Sequence, residues 1–96
     1  MGTKTVELIE TLEHLVKLLE HDDQENWVKW MQTAKLMLES SDYAGITKVL
    51  SAYGGMGSFN DVVLSLGELE DQQFSKLSAR AYSLAEEIRR SNESNT

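Results

Sequence analysis

The segment 54–66, which reads GGMGSFNDVVLSL, holds three of the six glycines and is the stretch whose residue types come closest to a binding site. A glycine-rich turn that opens into a helix presents free backbone N–H groups and the positive end of the helix dipole, and these can hold a phosphate or another anion. No strand is predicted before this turn, it contains no lysine, and Asp61 already supplies negative charge to the first helical turn. We therefore favour a structural turn between two helices over an anion site.

A contact surface for a partner is the second interpretation of the same turn. Ser58 and Asp61 have the spacing of a capping box, so the sequence predicts a short extra helix that begins at Ser58 and continues through the following VVL. An apolar side chain in such a turn either packs into the core or stands exposed as a contact point, and we expect Phe59 to pack inward. The residues that a partner or a ligand would contact here are Met56, Gly57, Ser58, Phe59, Asn60 and Asp61.

Other residues with catalytic or metal-binding chemistry are too dispersed to form a site. His14 and His21 lie two helical turns apart on one predicted helix, about 10 Å along its axis, so they cannot share one metal ion. Both fall opposite the apolar stripe of that helix, where we expect solvated surface histidines. The chain has no cysteine, and its carboxylates have the pattern of solvated helix faces. The sequence therefore predicts no catalytic residue, no cofactor and no metal site.

Four segments carry apolar residues at the spacing of a helix that is buried on one side. Short polar connections join them and no segment alternates as a strand does. The sequence therefore predicts an all-α fold, a small antiparallel four-helix bundle with an extra short helix or turn after the glycine-rich segment. Residues 1–90 form a single helical domain in this prediction, and 91–96 form a flexible C-terminal tail without an apolar anchor. The predicted helices span about residues 3–21, 23–40, 42–53 and 70–90.

Individual residues set the expected ends and faces of these helices. Gly54 and Gly55 are expected to take positive φ and to end the third helix, which Gly45 weakens by up to ~1 kcal/mol relative to alanine. Trp27 and Trp30 share the apolar stripe of the second helix, so we expect them in the core rather than stacked on a ligand. The expected cap residues are Asp22 or Asp23 for the second helix and Ser40, Ser41 or Asp42 for the third.

Sixteen acidic against nine basic residues give the chain a net charge of −7. This charge repels phosphate backbones and anionic membrane surfaces, so we expect neither nucleic acid nor a membrane as a partner. It attracts a basic protein surface, although a chain whose acidic residues serve only solubility would have the same composition. The first residues, MGTKTVELIETLEHLV, carry acidic side chains where a secretory signal would be apolar, and no apolar run approaches the roughly 18 residues of a membrane span. We therefore expect a cytoplasmic protein.

The string GGMGSFNDVVL, followed by a helix with Phe74, Leu77, Tyr82 and Ile88, resembles a family of small bacterial domains of unknown function that share a Gly-Met-Gly-Ser-Phe-Asn-Asp segment. The resemblance runs from Tyr43 to Ile88 and implies a bacterial origin, with no activity attached to it. A small acidic four-helix chain is also similar, by analogy of fold, to the immunity proteins that neutralise basic nuclease toxins. The acidic, tyrosine-rich recognition segment of those proteins is not evident in this sequence.

Two functional hypotheses remain. In the first, the chain is a non-enzymatic bacterial interaction protein that binds a basic protein partner in an antitoxin or immunity-like manner, through acidic helix faces and the 54–61 turn. In the alternative, it is a small-molecule or anion-binding domain, or a small enzyme, with its ligand at the 54–61 turn and Asn60 and Asp61 as polar contacts. A homodimer is a further option, in which Leu18, Val28 and Leu36, apolar residues outside the predicted stripes, form the contact.

Overall fold

The fold consists of helices joined by short connections, in a computed structural model that describes residues 2–54, 58–59 and 62–94, with side chains as far as residue 91. No strand occurs within these ranges, and the predicted all-α class is confirmed. The helices are α1 (Thr3–His21), α2 (Glu25–Glu39), α3 (Ala44–Ser51) and α4 (Glu68–Ser94).

The helices pack as an antiparallel bundle. α1 contacts both α2 and α4, while α3 contacts α2 and α4. Two exposed ion pairs show that α4 runs antiparallel to α1. Lys4 Nζ lies 3.4 Å from Glu87 Oε2, and Arg80 Nη2 lies 3.4 Å from Glu7 Oε2. The beginning of α1 therefore faces the end of α4.

All four helices contribute to one hydrophobic core. Each of them buries the apolar face that its sequence periodicity predicts, and this burial supplies most of the stability of the helices. No helix among the described residues is long and apolar enough to cross a membrane. The residues of the helices that are fully shielded from solvent are Leu8, Leu12, Leu15, Leu19, Met31, Ala34, Val49, Ala81 and Ala85.

The helix caps differ in part from the expected ones. Neither Asp22 nor Asp23 caps α2, because Gln24 occupies the N-cap position and its side chain makes no capping hydrogen bond. Tyr43 occupies the N-cap position of α3 without a side-chain capping bond, and Asp42, one of the expected candidates, lies directly before it. Its Oδ1 accepts a hydrogen bond of 2.9 Å from the backbone N–H of Ala44, which satisfies one of the free donors at the helix start.

Positive φ occurs at residues that the glycine pattern did not indicate. The expectation was wrong for Gly54, which does not adopt it, and Gly55 lies outside the described residues. Among the described glycines, only Gly67, directly before α4, takes positive φ, at 127°. Asp23 and Ser41 take it at 58° and 60° just after α1 and α2, a conformation that short polar residues tolerate.

Replacing Gly67 with alanine is expected to lower the free energy of unfolding by about 1–2 kcal/mol. A side chain is strained at this φ, and a Cβ would lie 3.0 Å from Glu70 Oε2. Gly54→Ala is the matched control, since a Cβ there meets nothing within 4 Å, and its effect should stay within about 0.5 kcal/mol. Urea unfolding of both variants measures the difference, and a larger loss at Gly54 than at Gly67 would contradict the assignment.

Gly45 is a packing residue rather than a weak point of α3. It is buried where α3 meets α2, and a Cβ at this position would lie 2.8 Å from Leu38 Cγ and 3.0 Å from the carbonyl oxygen of Ala34. The expectation that Gly45 only weakens α3 considered the helix in isolation. The structure adds the contact between the two helices, which needs the space that a Cβ would fill.

Among the described residues, the extra helix that the capping box predicted between α3 and α4 is present only as 3₁₀-helical conformation at Phe59, directly after Ser58. Residues 62–65 have no regular secondary structure, and residues 60–61 lie outside the described ranges. The Val62 N–H donates a hydrogen bond of 3.3 Å to the Phe59 carbonyl. Beyond Val62, Val63 is exposed and Leu64 is buried, the alternation of an extended segment that crosses the edge of a core.

α4 is longer than the sequence predicts. It ends at Ser94 rather than near residue 90, so helical structure extends into the 91–96 segment that was predicted to be a flexible tail. The division into one domain and a tail stays a prediction.

Candidate functional site

Phe59 anchors the glycine-rich connection between α3 and α4. Its side chain is 1% exposed, and its backbone N–H donates a hydrogen bond of 2.7 Å to the carbonyl of Ala52. This bond returns the chain to the end of α3. The Phe59 ring centroid lies 5.1 Å from that of Trp27, 5.5 Å from that of Tyr53 and 5.4 Å from that of Phe74. The expectation that Phe59 packs inward is confirmed.

Both tryptophans belong to the core, as the shared stripe predicts. Trp27 and Trp30 pack against the buried cluster, with ring centroids 5.6 Å apart. Trp30 Nε1 donates a hydrogen bond of 2.9 Å to the carbonyl of Lys48, whose Nζ lies 3.9 Å from the centroid of the same indole ring. The Trp30 ring thus connects α2 to α3 through a hydrogen bond and a cation–π contact.

The predicted contact residues of the 54–61 turn are only partly described. Ser58 and Phe59 are both buried, at 6% and 1% exposure. In this conformation they present little surface to a partner. The role of the turn as a contact site stays a prediction, because the other candidate residues, Met56, Gly57, Asn60 and Asp61, lie outside the described residues.

A groove of about 510 Å³ opens beside this turn, between the segment after α3 and one face of α4. Residues that follow α3 form one side, the wall, and α4 forms the other, the floor, with two aromatic rings and several small side chains. None of the lining residues carries a charge, although 26% of the chain is charged. We call it the aromatic groove, and it is lined by Tyr53, Phe59, Val62, Phe74, Ser75, Ser78, Ala79, Tyr82 and Ser83.

Tyr53 joins the wall of the aromatic groove, which follows α3, to its floor on α4. Its hydroxyl donates a hydrogen bond of 2.8 Å to the backbone carbonyl of Ser78 on α4. Its ring centroid lies 5.0 Å from that of Tyr82 in an edge-to-face arrangement. Burial raises the pKa of Tyr53 from its ordinary 10.0 to about 12, and the interaction with Ser78 offsets only part of that rise.

Seven carboxylates gather at the end of the bundle where α1 turns into α2 and where α4 begins. None of the ion pairs among the described residues includes one of them. Lys29 lines the same hollow of about 380 Å³ as some of these carboxylates and is the only basic residue there. One carboxylate oxygen of Asp71 is buried with no hydrogen-bond partner among the described residues. We call this surface the acidic end, and it consists of Glu20, Asp22, Asp23, Glu25, Glu68, Glu70 and Asp71.

Asp22 holds the two halves of the acidic end together. The backbone N–H of Ser65, just before α4, donates a hydrogen bond of 2.9 Å to Asp22 Oδ1, and Gln24 Nε2 donates one of 2.9 Å to Asp22 Oδ2. The bond from Gln24, and then the bond from Ser65, lower the pKa of Asp22 because they stabilise its charged form. Asp22, one of the two residues expected to cap α2, instead joins the segment before α4 to the turn between α1 and α2.

Neither histidine lines the aromatic groove, and His21 lies between Glu20 and Asp22 of the acidic end. His14 and His21 are both exposed, as expected from their place opposite the apolar stripe of α1. Within the described residues, no group of three or more histidine, cysteine, aspartate and glutamate side chains has the arrangement of a metal site.

A family model described as "Domain of unknown function (DUF6966)" matches residues 20–68, just over half of the chain. The chain belongs to this family. The match to DUF6966 includes α2, α3 and the connection that carries Phe59, and it stops at Glu68, the first residue of α4. The specific glycine-rich string as a family feature and the bacterial origin stay predictions. Comparison with curated proteins and with solved structures gives no significant match.

Neither surface was identified from the sequence as a site. The DUF6966 match contains Tyr53, Phe59 and Val62 from the wall of the aromatic groove, whereas its floor on α4 lies outside the match. The one local signal for the groove was the uncharged set of serine and alanine side chains at helical spacing from Ser75 to Ser83. The acidic end had a signal in the clustered DD and ELED sequences, but only the fold places these side by side.

Proposed function

We propose that the chain is a non-enzymatic interaction protein that binds a basic protein surface through the acidic end, in the manner of an antitoxin or an immunity protein. The observation that supports this proposal is the concentration of seven carboxylates, from two distant parts of the sequence, at one end of the bundle. Such a concentration raises the local potential and speeds encounter with a positively charged partner. A cytoplasmic location and the absence of nucleic acid and membrane partners belong to the same proposal.

Two exposed apolar side chains near the acidic end offer apolar contacts to a partner, in addition to the charged ones. Val63 and Leu69 are each 78% exposed, more than the other large hydrophobic residues of the described ranges. Val63 lies two residues before the Ser65 that bonds to Asp22, and Leu69 lies in the first turn of α4. Protein interfaces combine apolar contacts at their centre with charged residues around them. The partner that fits is therefore a basic surface with an apolar side chain of its own.

Exchanging the charge of two exposed residues at the acidic end is expected to weaken this binding at least tenfold. The double variant Glu25→Lys, Glu68→Lys replaces attraction by repulsion. Its matched control is Glu10→Lys, Glu39→Lys, which changes the net charge equally at exposed positions of α1 and α2 outside the acidic end. The partner is first recovered by affinity purification from the cells that produce the chain, and dissociation constants are then measured with purified components at about 50 and 200 mM salt.

The control separates a local site from a general charge effect. We expect the control variant to bind within about threefold of the natural chain, and added salt to weaken binding of the natural chain most. Equal weakening by both double variants would mean that the acidity serves only solubility and general attraction. A partner that binds through an acidic surface would also contradict the proposal.

The homodimer option loses most of its support. Leu18 and Val28 pack against the core, and of the three residues proposed for the contact only Leu36 is strongly exposed, at 63%. A ligand at the 54–61 turn, held by Asn60 and Asp61, stays a prediction because both residues lie outside the described ranges.

A further inference from the structure

The length of α3 leaves one face of α4 open. α3 spans Ala44–Ser51 whereas α4 spans Glu68–Ser94, and at about 1.5 Å per residue α4 is roughly three times as long. The face of α4 around Ser75 to Ser83 is therefore not covered along its length by a partner helix. The aromatic groove lies on this face, with Tyr53, Phe59 and Val62 on its opposite wall.

The chemistry of the lining favours an uncharged occupant. An ion in the groove would lose part of its hydration without meeting a side chain of opposite charge, which is unfavourable. Four rings, from Tyr53, Phe59, Phe74 and Tyr82, line the groove, and three serines supply hydroxyl groups. A flat ring gains from edge-to-face or stacked contacts with such side chains, and a hydroxyl or carbonyl group on that ring finds hydrogen-bond partners.

The groove is also formed before any ligand arrives. The hydrogen bond from Tyr53 to the Ser78 carbonyl and the buried Phe59 hold its wall against α4, so little conformational entropy is lost on binding. The Tyr82 side chain is 41% exposed at the rim and lies edge-to-face against the Tyr53 ring. The volume of about 510 Å³ falls in the range of small-molecule sites.

We propose that the aromatic groove binds a neutral aromatic small molecule that carries a hydroxyl or carbonyl group. This site is separate from the acidic end and does not depend on the proposed protein partner. The ligand lies along α4, against Ser78 and Ala79, rather than on the glycines of the 54–61 turn.

The test uses 2-naphthol as the probe and 2-naphthoate, of the same ring size but negatively charged, as its counterpart. Calorimetry on the purified chain is expected to give saturable binding of 2-naphthol with a dissociation constant below about 1 mM, and at least tenfold weaker binding of 2-naphthoate. Amide chemical shifts should change most at Ser78, Ala79 and Tyr82. Weak or equal binding of both probes, or shifts that map to another face, would overturn the proposal.

A groove-filling variant gives the second arm of the test. Ala79→Leu adds a side chain at an exposed groove position with only a small loss of helix propensity, and it is expected to weaken 2-naphthol binding at least tenfold. Gln73→Leu, exposed on α4 outside the lining, should bind within about twofold of the natural chain, and circular dichroism checks that both variants fold. Unchanged binding by Ala79→Leu would overturn the site. The proposal would also be overturned if the natural chain bound no 2-naphthol and sedimented as a dimer, and if Ala79→Leu dissociated this dimer. The groove would then be a contact between two copies of the chain.

Discussion

Phe59→Ala is expected to lower the free energy of unfolding by about 3–5 kcal/mol. The ring is 1% exposed and contacts three other aromatic residues, Trp27, Tyr53 and Phe74. Its removal leaves a cavity at the point where α2, the end of α3 and α4 come together, and it forfeits the aromatic pair contacts as well. A small domain has only about 5–15 kcal/mol of total stability, so this loss endangers the fold itself.

Urea unfolding followed by tryptophan fluorescence measures this effect. The emission of the folded variant should also shift to longer wavelength, because Trp27 loses its neighbour and gains contact with water. Leu69→Ala is the control, since that side chain is 78% exposed and its removal should cost no more than about 0.5 kcal/mol. Phe59→Leu keeps most of the volume and is expected to fall between them. An unfolding midpoint of Phe59→Ala equal to that of the natural chain would show that the connection is not an architectural element.

The stability of the chain is expected to fall by about 2 kcal/mol between pH 10 and pH 12 because of Tyr53 alone. In the unfolded chain this tyrosine loses its proton near the ordinary pKa of 10.0, whereas in the folded chain burial raises the pKa to about 12. The stability contribution is therefore complete below pH 10. It is lost as the pH rises through the folded value, because the unfolded chain releases the proton first.

Tyr53→Phe isolates this contribution. At pH 8 the variant should be less stable than the natural chain by about 1 kcal/mol, because it lacks the hydrogen bond to the Ser78 carbonyl. The difference should reverse toward pH 12, since the variant has no proton to release at this position. Effects of other titrating groups occur in both chains and cancel in the comparison of their urea midpoints. A constant difference from pH 8 to pH 12 would contradict the raised pKa.

Local sequence features predicted the helices and the character of several individual residues. The spacing of Leu8, Leu12 and Leu15 predicts a helix buried on one side, because the side-chain period of a helix is fixed by its own backbone. The exposure of His14 follows from the same period. Phe59 was predicted to pack inward because a large apolar side chain next to a core gains more by burial than by exposure.

The conformation and role of the glycines were not predicted correctly from local sequence. Gly54 follows α3 as a helix-ending glycine would, but positive φ occurs instead at Gly67, Asp23 and Ser41 among the described residues. Gly45, which looks unfavourable for α3 alone, allows α3 to approach Leu38. The conformation of a turn depends on the direction in which the next helix must leave, and this direction is set by packing.

The two surfaces that carry the proposals were determined by the tertiary structure. The sequence determined that the chain is helical and acidic, and that Phe59, between α3 and α4, packs inward. It did not place Asp22 beside Ser65, or Tyr53 beside Ser78, because these pairs are separated by 43 and 25 residues and no local pattern relates them. Such pairs depend on how the apolar faces of all the helices pack against one another. The arrangement of the helices is selected by the sum of many weak contacts over the whole core. The period of a helix, in contrast, can be recognised from the few residues of each turn.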